Sequence, residues 1–175
     1  MIKKHKITKN VIMKEVTLRD TSYILKLRTN KILSKYINPT SSNKNTQILW
    51  MKKYFIRRKK KKEFYFIFQK KKFKNFGIGR IIHLKKDIFH FGGWVLNTKS
   101  SPSLALESCL SIYEYAFNNL KYKKTILWIN LHNKKVINFH KNLGAKPFKK
   151  TKTELFLNFN KEDYKKVKKK FIYFF

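Results

Sequence analysis

Few side chains in this sequence can exchange a proton near neutral pH, because nine acidic residues stand against 43 lysines and arginines. The five histidines gain importance for that reason, since the reference pKa of histidine is about 6.5. We expect a proton acceptor among His83, His90, Glu107 and Asp87. The alternatives are structural: a solvent-facing strand position for His90, and a first-turn helix position that complements the helix dipole for Glu107.

A polar loop, Asn97–Ser103, directly precedes the clearest helical pattern in the chain. That pattern consists of apolar residues at helical spacing, namely Ala105, Cys109, Ile112, Ala116 and Leu120. Pro102 suits the first position of a helix. Because the first turn of a helix has unpaired N–H donors and a positive dipole end, this junction is suited to hold an anionic group.

The elements that position these groups follow from the spacing of apolar residues. Strands are predicted over Val11–Leu18, Glu63–Gln69, Phe76–Leu84, Ile88–Leu96, Thr125–Leu131 and Glu154–Phe159. Helices are predicted as a broken pair over residues 23–36 that is capped at Asp20–Ser22, then over Ile48–Arg58, residues 105–120 and Asn133–Leu143. The links Lys70–Asn75 and Lys85–Asp87 are short, so the strands that they join are predicted to be antiparallel neighbours. This order predicts an α+β fold with a mixed sheet, in which a right-handed crossover joins two parallel strands.

We expect one domain over residues 1–175, with a core at 11–159. Residues 160–175 are expected to form a basic C-terminal helix followed by an apolar tail. Asn160 and Asp163 have the spacing of a capping box for that helix. The apolar tail is expected to dock on the body of the protein or to serve an interface.

Several simpler features set limits on the function. The six consecutive cations Arg57–Lys62 are expected to form a solvated loop at a helix end. The single cysteine, Cys109, excludes an internal disulfide and a cysteine-cluster metal site, and we expect no metal. No apolar run approaches the roughly 20 residues of a membrane span. Residues 1–9 lack a signal-peptide pattern, so we expect a cytoplasmic protein.

The net charge of +34 has two explanations. It suits an anionic partner such as nucleic acid or a membrane surface. A mutational bias toward A and T explains it equally, because lysine codons are rich in A, whereas the residue types whose codons begin with G total only 22. The lysines are spread through every segment, which favours the bias and speaks against a nucleic-acid partner. In either case the field attracts anionic ligands and weakens with salt.

Two stretches carry a resemblance to a known family. The first is Gly92–Leu96, followed after the loop by Ala105–Ser108, and the second is Asn133–Ala145, which is similar to the segment Asn-x-x-Ala-x-x-Leu-Tyr-x-Lys-x-Gly-Phe. With the order of elements from Val16 to Phe159, they resemble the GNAT superfamily of N-acetyltransferases. The likeness is greatest to enzymes of bacterial amino-sugar biosynthesis and smaller to those that acetylate ribosomal proteins. It implies the acyl-CoA N-acyltransferase fold, with a fourth strand that splays from the fifth, and acetyl-CoA as cosubstrate.

The resemblance also implies roles for individual residues. The fourth strand pairs with the pantetheine arm through its backbone, and the loop after it wraps the pyrophosphate. The cofactor-binding positions are then Trp94, Val95, Leu96, Ser100, Ser101, Ser103, Leu104, Ala105, Asn133 and Phe139. A backbone N–H near Val95 would stabilise the oxyanion. Asn133 has an additional structural interpretation, as the N-cap of the following helix.

Two positions depart from the family pattern. Only Ala105 matches the usual loop, Gln/Arg-x-x-Gly-x-Gly/Ala, and Ser103 places a Cβ where the family has glycine. Serine hydroxyls there are expected to act as phosphate donors. His140 replaces a tyrosine that protonates the departing thiolate, and we predict that His140 is the general acid, with simple packing as the alternative. His90 is the preferred base, because its strand would carry the thioester.

We therefore predict an N-acetyltransferase that acts on a primary amine, either a small amine or a nucleotide-linked amino sugar. Arg28 and Trp50 are expected to bind the acceptor, and Lys26 and Arg19 lie near enough in sequence to contribute. The alternatives are a protein N-terminal acetyltransferase of the ribosomal type, a non-catalytic basic module that binds nucleic acid, and a family member without activity. A homodimer is left open.

Overall fold

Alternating apolar residues build a mixed sheet in the computed structural model, which describes residues 3–70 and 73–175. Within this part of the chain the sheet has eight strands in the order β1-β2-β3-β4-β5-β6-β8-β7. The strands are β1 (Lys4–Lys6), β2 (Ile12–Glu15), β3 (Glu63–Lys70), β4 (Lys74–Lys85), β5 (Ile88–Leu96), β6 (Lys124–Asn130), β7 (Lys146–Lys150) and β8 (Glu154–Asn160). Neighbours are antiparallel except β5 and β6, which are parallel. The predicted link Lys70–Asn75 includes two lysines that lie outside the described residues.

Helices cover the two faces of the sheet. They are α1 (Thr21–Arg28), α2 (Lys44–Lys59), α3 (Pro102–Glu114), α4 (Lys134–Asn142) and α5 (Lys161–Lys170). Alternation along β3 divides the core, because Phe64, Phe66 and Phe68 pack toward α3 whereas Tyr65 and Ile67 pack toward α1 and α2. None of the described helices is long and apolar enough to cross a membrane.

The parallel strands β5 and β6 separate soon after they meet. Their register runs through three pairs and ends at His90 and Ile126. Beyond that point β5 continues along β4, and β6 continues along β8. A bulge at Gly93, with φ of +58°, adds a residue to β5 opposite β4 and bends it away. This confirms the predicted splay of the fourth and fifth strands, which are β5 and β6 once β1 is counted.

The six cations Arg57–Lys62 do not form the predicted solvated loop, because the first three belong to α2. Helix α2 continues to Lys59, and Arg57 Nε donates to Glu63 Oε2 at 2.6 Å. Arg58 donates through Nη2 to Glu15 at 2.8 Å. Only the last three lysines form an exposed turn. The prediction was wrong because a carboxylate distant in sequence pairs with Arg58, and such pairs leave no local pattern.

The capping predictions were also wrong in detail. Asn160 precedes α5 but makes no side-chain capping hydrogen bond. Asp20 stands before α1, yet its carboxylate accepts the Thr17 N–H at 2.8 Å and so closes the preceding turn instead. The apolar tail docks on the body as expected, since Phe174 is buried in the core and its carbonyl accepts the Lys9 N–H at 2.8 Å.

Glu107 fastens the segment before β2 to α3. It is fully buried in the second turn of the helix, and its carboxylate accepts the backbone N–H and, at 3.1 Å, the side-chain amide of Asn10. Thr8 and Ser111 add a hydrogen bond of 2.9 Å between their hydroxyls. Glu107 is therefore neither the first-turn residue nor the proton acceptor considered from the sequence.

We predict that Glu107→Ala lowers the free energy of unfolding by about 3 kcal/mol, because two hydrogen bonds to Asn10 are lost and a cavity is left where the buried side chain stood. Urea denaturation measures the change. Glu162→Ala is the matched control, since that carboxylate is 73% exposed and pairs only with Lys165, so a change below about 0.5 kcal/mol is expected. Equal losses in the two variants would contradict this role for Glu107.

Candidate active site

The separation of β5 and β6 opens a cavity of about 220 Å³, called here the splay cavity. It brings together His90 and Trp94 from β5, Asn133 and His140 at α4, and Arg28 from α1. These five residues are among those proposed from the sequence. Because they come from three separate elements of the chain, their convergence in one cavity is a property of the fold.

His90 lies at the point where the strands part. Its Nδ1 donates to the Ile126 carbonyl at 2.9 Å, so the neutral ring has its free lone pair on Nε2. The ring stacks on Trp128 with centroids 3.3 Å apart. Burial, and secondarily the charge of Arg80, lower the pKa of His90 to about 4. At neutral pH His90 is therefore an uncharged proton acceptor.

Gly92 makes room for that histidine. A Cβ at this position would lie 2.2 Å from His90 Nε2, well inside van der Waals contact. Any larger residue would push the imidazole off Trp128. Gly92, which belongs to the stretch that resembles the family, thus leaves the space that the His90 side chain occupies beside the strand.

His140 is buried in an aromatic environment formed by Phe91, Trp94 and Phe139. Its Nδ1 lies 3.1 Å from the Tyr113 hydroxyl. Burial lowers the pKa of His140 to about 3. The imidazolium assumed in the sequence argument is therefore not populated at neutral pH, and the ring is available as a neutral hydrogen-bond donor.

The side chains of the proposed cofactor positions on β5 and α4 pack against each other. The Trp94 indole N–H donates to Ser108 Oγ on α3 at 3.2 Å, and the Trp94 ring centroid lies 5.2 Å from that of Phe139. Asn133 is the N-cap of α4, because its side chain accepts the Val136 N–H at 3.4 Å. It also lines the splay cavity, so both interpretations of Asn133 are compatible. Val95 is buried toward α1 and α2, which leaves its backbone as the part available to a ligand.

Several polar groups of the serine loop before α3 are already used in hydrogen bonds within the loop and the first turn of the helix. The Ser100 hydroxyl donates to Asn97 Oδ1 at 2.9 Å, which removes it as a phosphate donor. Ser101 caps α3, since its Oγ accepts the Leu104 N–H at 3.3 Å, and its carbonyl accepts the Ala105 N–H at 3.0 Å. Within this first turn, Ser103 and the hydroxyl hydrogen of Ser101 are left to serve an anion.

A second cavity of about 380 Å³ lies between α1, α2 and the sheet, and is called here the arginine cavity. Arg28 and Arg80 line it together with Trp50 and Tyr65. Both arginines also line the splay cavity, so the two cavities adjoin at these side chains and are together called the cleft. Trp50 stands beside Arg80, whose guanidinium carbon lies 5.4 Å from the indole centroid.

Sequence reasoning missed Arg80 and Tyr65. One signal could have identified Arg80: only five of the 43 basic residues are arginine. Where lysine is this strongly favoured, each arginine is a candidate for a position that uses the planar guanidinium. Tyr65 gives no such signal, because its run of aromatic residues looks like an ordinary core strand.

The remaining candidates do not reach the cleft. Asp87 pairs with Lys123 at 3.1 Å before the start of β5, and His83 lies 3.2 Å from the Tyr122 hydroxyl. Lys26 and Arg19 are exposed and line neither cavity. Among the described residues no group of three or more His, Cys, Asp or Glu side chains could hold a metal ion.

Comparisons with known proteins agree with this geometry. A family model described as an acetyltransferase (GNAT) domain matches residues 10–146. The solved structure of apo FdhC, a nucleotide-linked sugar GNAT, is 26% identical and matches 95% of this chain and 96% of its own, with a TM-score of 0.87. A spermidine N-acetyltransferase from Vibrio cholerae, in complex with CoA and spermine, is 12% identical over 89% of this chain and 98% of its own, with a TM-score of 0.76, which shows the shared fold alone. No curated protein matches the chain.

The two buried histidines predict a specific pH dependence of stability. In the folded state both histidines have pKa values below the unfolded value of about 6.5. Their contribution to the free energy of unfolding is therefore fully present above about pH 6.5, and it is lost as the pH falls toward the folded pKa values. We expect roughly 2 kcal/mol of unfolding free energy to be lost for each histidine between about pH 7 and pH 5. Urea titrations at both pH values measure the loss.

His90→Asn should remove about half of this histidine-dependent loss. His132→Asn is the control, because His132 is exposed and lines neither cavity. An identical pH dependence in the wild type and in His90→Asn would show that His90 does not titrate as its burial requires.

Proposed function

This chain belongs to the GNAT acetyltransferase family, and on that premise we propose that it transfers the acetyl group of acetyl-CoA to the amine of a nucleotide-linked amino sugar. The N-acetyltransferase class predicted from the sequence is confirmed by the family match. The nature of the acceptor is our inference. It rests on one observation, which is that Arg28 and Arg80 lie in the cleft that continues from the splay cavity.

The charge of the cleft selects among acceptors. A nucleotide-linked sugar carries an anionic diphosphate, which two guanidinium groups attract. A polycation such as spermidine would meet repulsion from the same groups, and so would the basic N-terminal segments of many ribosomal proteins. The likeness to a nucleotide-linked sugar GNAT over nearly the whole chain supports the first of these acceptors.

The donor site follows from the splay. Acetyl-CoA supplies a thioester, whose carbonyl carbon is open to attack by an amine. Among the described residues, β6 provides no partner for the backbone of Trp94 to Leu96, so this backbone is free to hydrogen-bond the pantetheine arm. Ser103 and the Ser101 hydroxyl at the start of α3 are assigned to the pyrophosphate. Asn133 and Phe139 flank the arm from α4.

Proton transfer is assigned to the two buried histidines. His90 Nε2 accepts a proton from the amine, directly or through a water, as the amine nitrogen bonds to the thioester carbon. A backbone N–H near Val95 stabilises the oxyanion that develops. As the carbon–sulfur bond breaks, the neutral N–H of His140 donates a hydrogen bond to the departing thiolate, which takes its proton from water. Glu154 also lines the splay cavity and is suited to hold the incoming ammonium group.

The substrate is tested by release of free thiol from acetyl-CoA against a panel of amines. The panel contains uridine and thymidine diphosphate amino sugars, the same sugars without nucleotide, spermidine, and a peptide with a free N-terminus. We expect kcat/KM for a nucleotide-linked sugar to exceed that for the free sugar by roughly a hundredfold, the equivalent of two charge-assisted contacts. Faster turnover of spermidine or of the peptide would refute the acceptor assignment.

We predict that His140→Ala lowers kcat by roughly a hundredfold while acetyl-CoA still raises the melting temperature of the variant, since a ligand that binds only the folded state stabilises it. Steady-state kinetics and thermal unfolding with and without acetyl-CoA make the measurement. His140→Phe, which preserves packing without a ring N–H, separates chemistry from packing and should be as impaired. Unchanged kcat in His140→Phe would return His140 to a packing role.

A further inference from the structure

The arginine cavity contains more positive charge than the surrounding acids neutralise. Arg80 Nη1 donates to Glu63 Oε1 at 3.1 Å, but Glu63 also accepts from Arg57 at 2.6 Å. Arg28 has neutral partners only among the described residues: its Nε donates to Thr40 Oγ1 at 2.8 Å and its Nη2 to the Asn38 carbonyl at 3.2 Å. A half-buried guanidinium without a carboxylate is costly unless an anion completes its surroundings.

The two guanidinium groups converge on one point of the backbone. A Cβ built on Gly93 would lie 2.9 Å from Arg80 Nε and 3.6 Å from Arg28 Nη1. The bulge in β5, where Gly93 has φ of +58°, therefore lets both side chains rest against the strand. Two like charges held this close repel each other, and the charge of Arg80 contributes, after burial, to lowering the pKa of Arg28.

Two polar atoms of residues that line this cavity have no partner at hydrogen-bond geometry. The Tyr65 hydroxyl and Arg80 Nε are both buried and make no hydrogen bond within the described part of the chain. Tyr65 is 1% exposed. Burial raises the pKa of Tyr65 to about 12, and the charges of Arg80 and Arg28 oppose the rise, so all three groups lie close together. Buried donors without acceptors are rare in folded proteins, and here they line a cavity large enough for a ligand.

We propose that the arginine cavity binds the diphosphate of the acceptor, with Arg28, Arg80 and the Tyr65 hydroxyl as its donors. This inference rests on the proposed function and specifies which part of the cleft binds the diphosphate of the nucleotide. The diphosphate lies on the face of the sheet that α1 and α2 cover, whereas the start of α3, which is assigned to coenzyme A, lies on the other face. The sugar amine then enters the splay cavity beside His90, because Arg28 and Arg80 border both spaces.

The test is isothermal titration with uridine diphosphate, inorganic pyrophosphate and inorganic phosphate, at fixed ionic strength, with and without saturating coenzyme A. The wild type should bind uridine diphosphate in both conditions and bind inorganic phosphate more weakly. Arg28→Gln and Tyr65→Phe should each weaken uridine diphosphate binding by roughly tenfold or more. Arg19→Gln removes a charge from an exposed arginine outside the cavity and should change affinity by less than about twofold.

Three results would overturn the inference. Uridine diphosphate binding that coenzyme A abolishes would place the diphosphate in the donor site. Equal binding of uridine diphosphate by the wild type, Arg28→Gln and Tyr65→Phe would show that these donors are not part of the site. If Arg28→Gln fails to fold, the result for Tyr65→Phe alone decides this point. Inorganic phosphate binding as tightly as uridine diphosphate would show a simple anion site.

Different results would reject the proposed function. Suppose that the wild type binds uridine diphosphate and the variants bind it more weakly, but nucleotide amino sugars are not turned over. The proposed reaction would then be rejected and the cavity assignment kept. Turnover of these sugars with kcat/KM unchanged in Tyr65→Phe and Arg28→Gln would keep the reaction and reject the cavity assignment.

Discussion

The hydrogen bond from His90 Nδ1 to the Ile126 carbonyl terminates the parallel ladder between β5 and β6, and much of the site depends on it. The imidazole occupies the Ile126 carbonyl at the last pair of the ladder, and Trp128 of β6 stacks against the ring. Beyond this bond β5 is held by β4 and β6 by β8, so the gap between them stays open. One side chain thus ends a sheet interaction and lines the resulting cavity.

Scarcity of acids shapes the rest of the molecule. Several of the nine carboxylates join elements that are distant in sequence, as Glu15 does with Arg58 and Glu114 does with Lys168. Each of these pairs is at least partly buried, where loss of one partner is costly. Arg28 is left without a carboxylate partner in the described structure, and the cleft remains cationic.

The sequence predicted the family, the mixed sheet, the splay and the clearest helices, because each depends on local spacing or on a contiguous motif. It failed where tertiary pairing decides the outcome. Arg58 lies in a run that looks solvated until Glu15 is placed beside it, and β1 and β7 are short strands rich in lysine with no buried face to reveal them. The protonation state of His140 depends on burial among rings from β5, α3 and its own helix α4, so its reference pKa was a poor guide. The individual catalytic and binding roles remain proposals.

Both open edges of the sheet carry cations. Strand β1 is Lys4–Lys6, and β7 is Lys146–Lys150, in which Pro147 also lacks an N–H to donate. A strand from a second copy would align its own lysines with these at about 5 Å, the spacing of paired strands. Like charges so placed repel, and salt only partly screens them at that separation. Edge-to-edge growth of the sheet is thereby disfavoured at both ends of the described sheet.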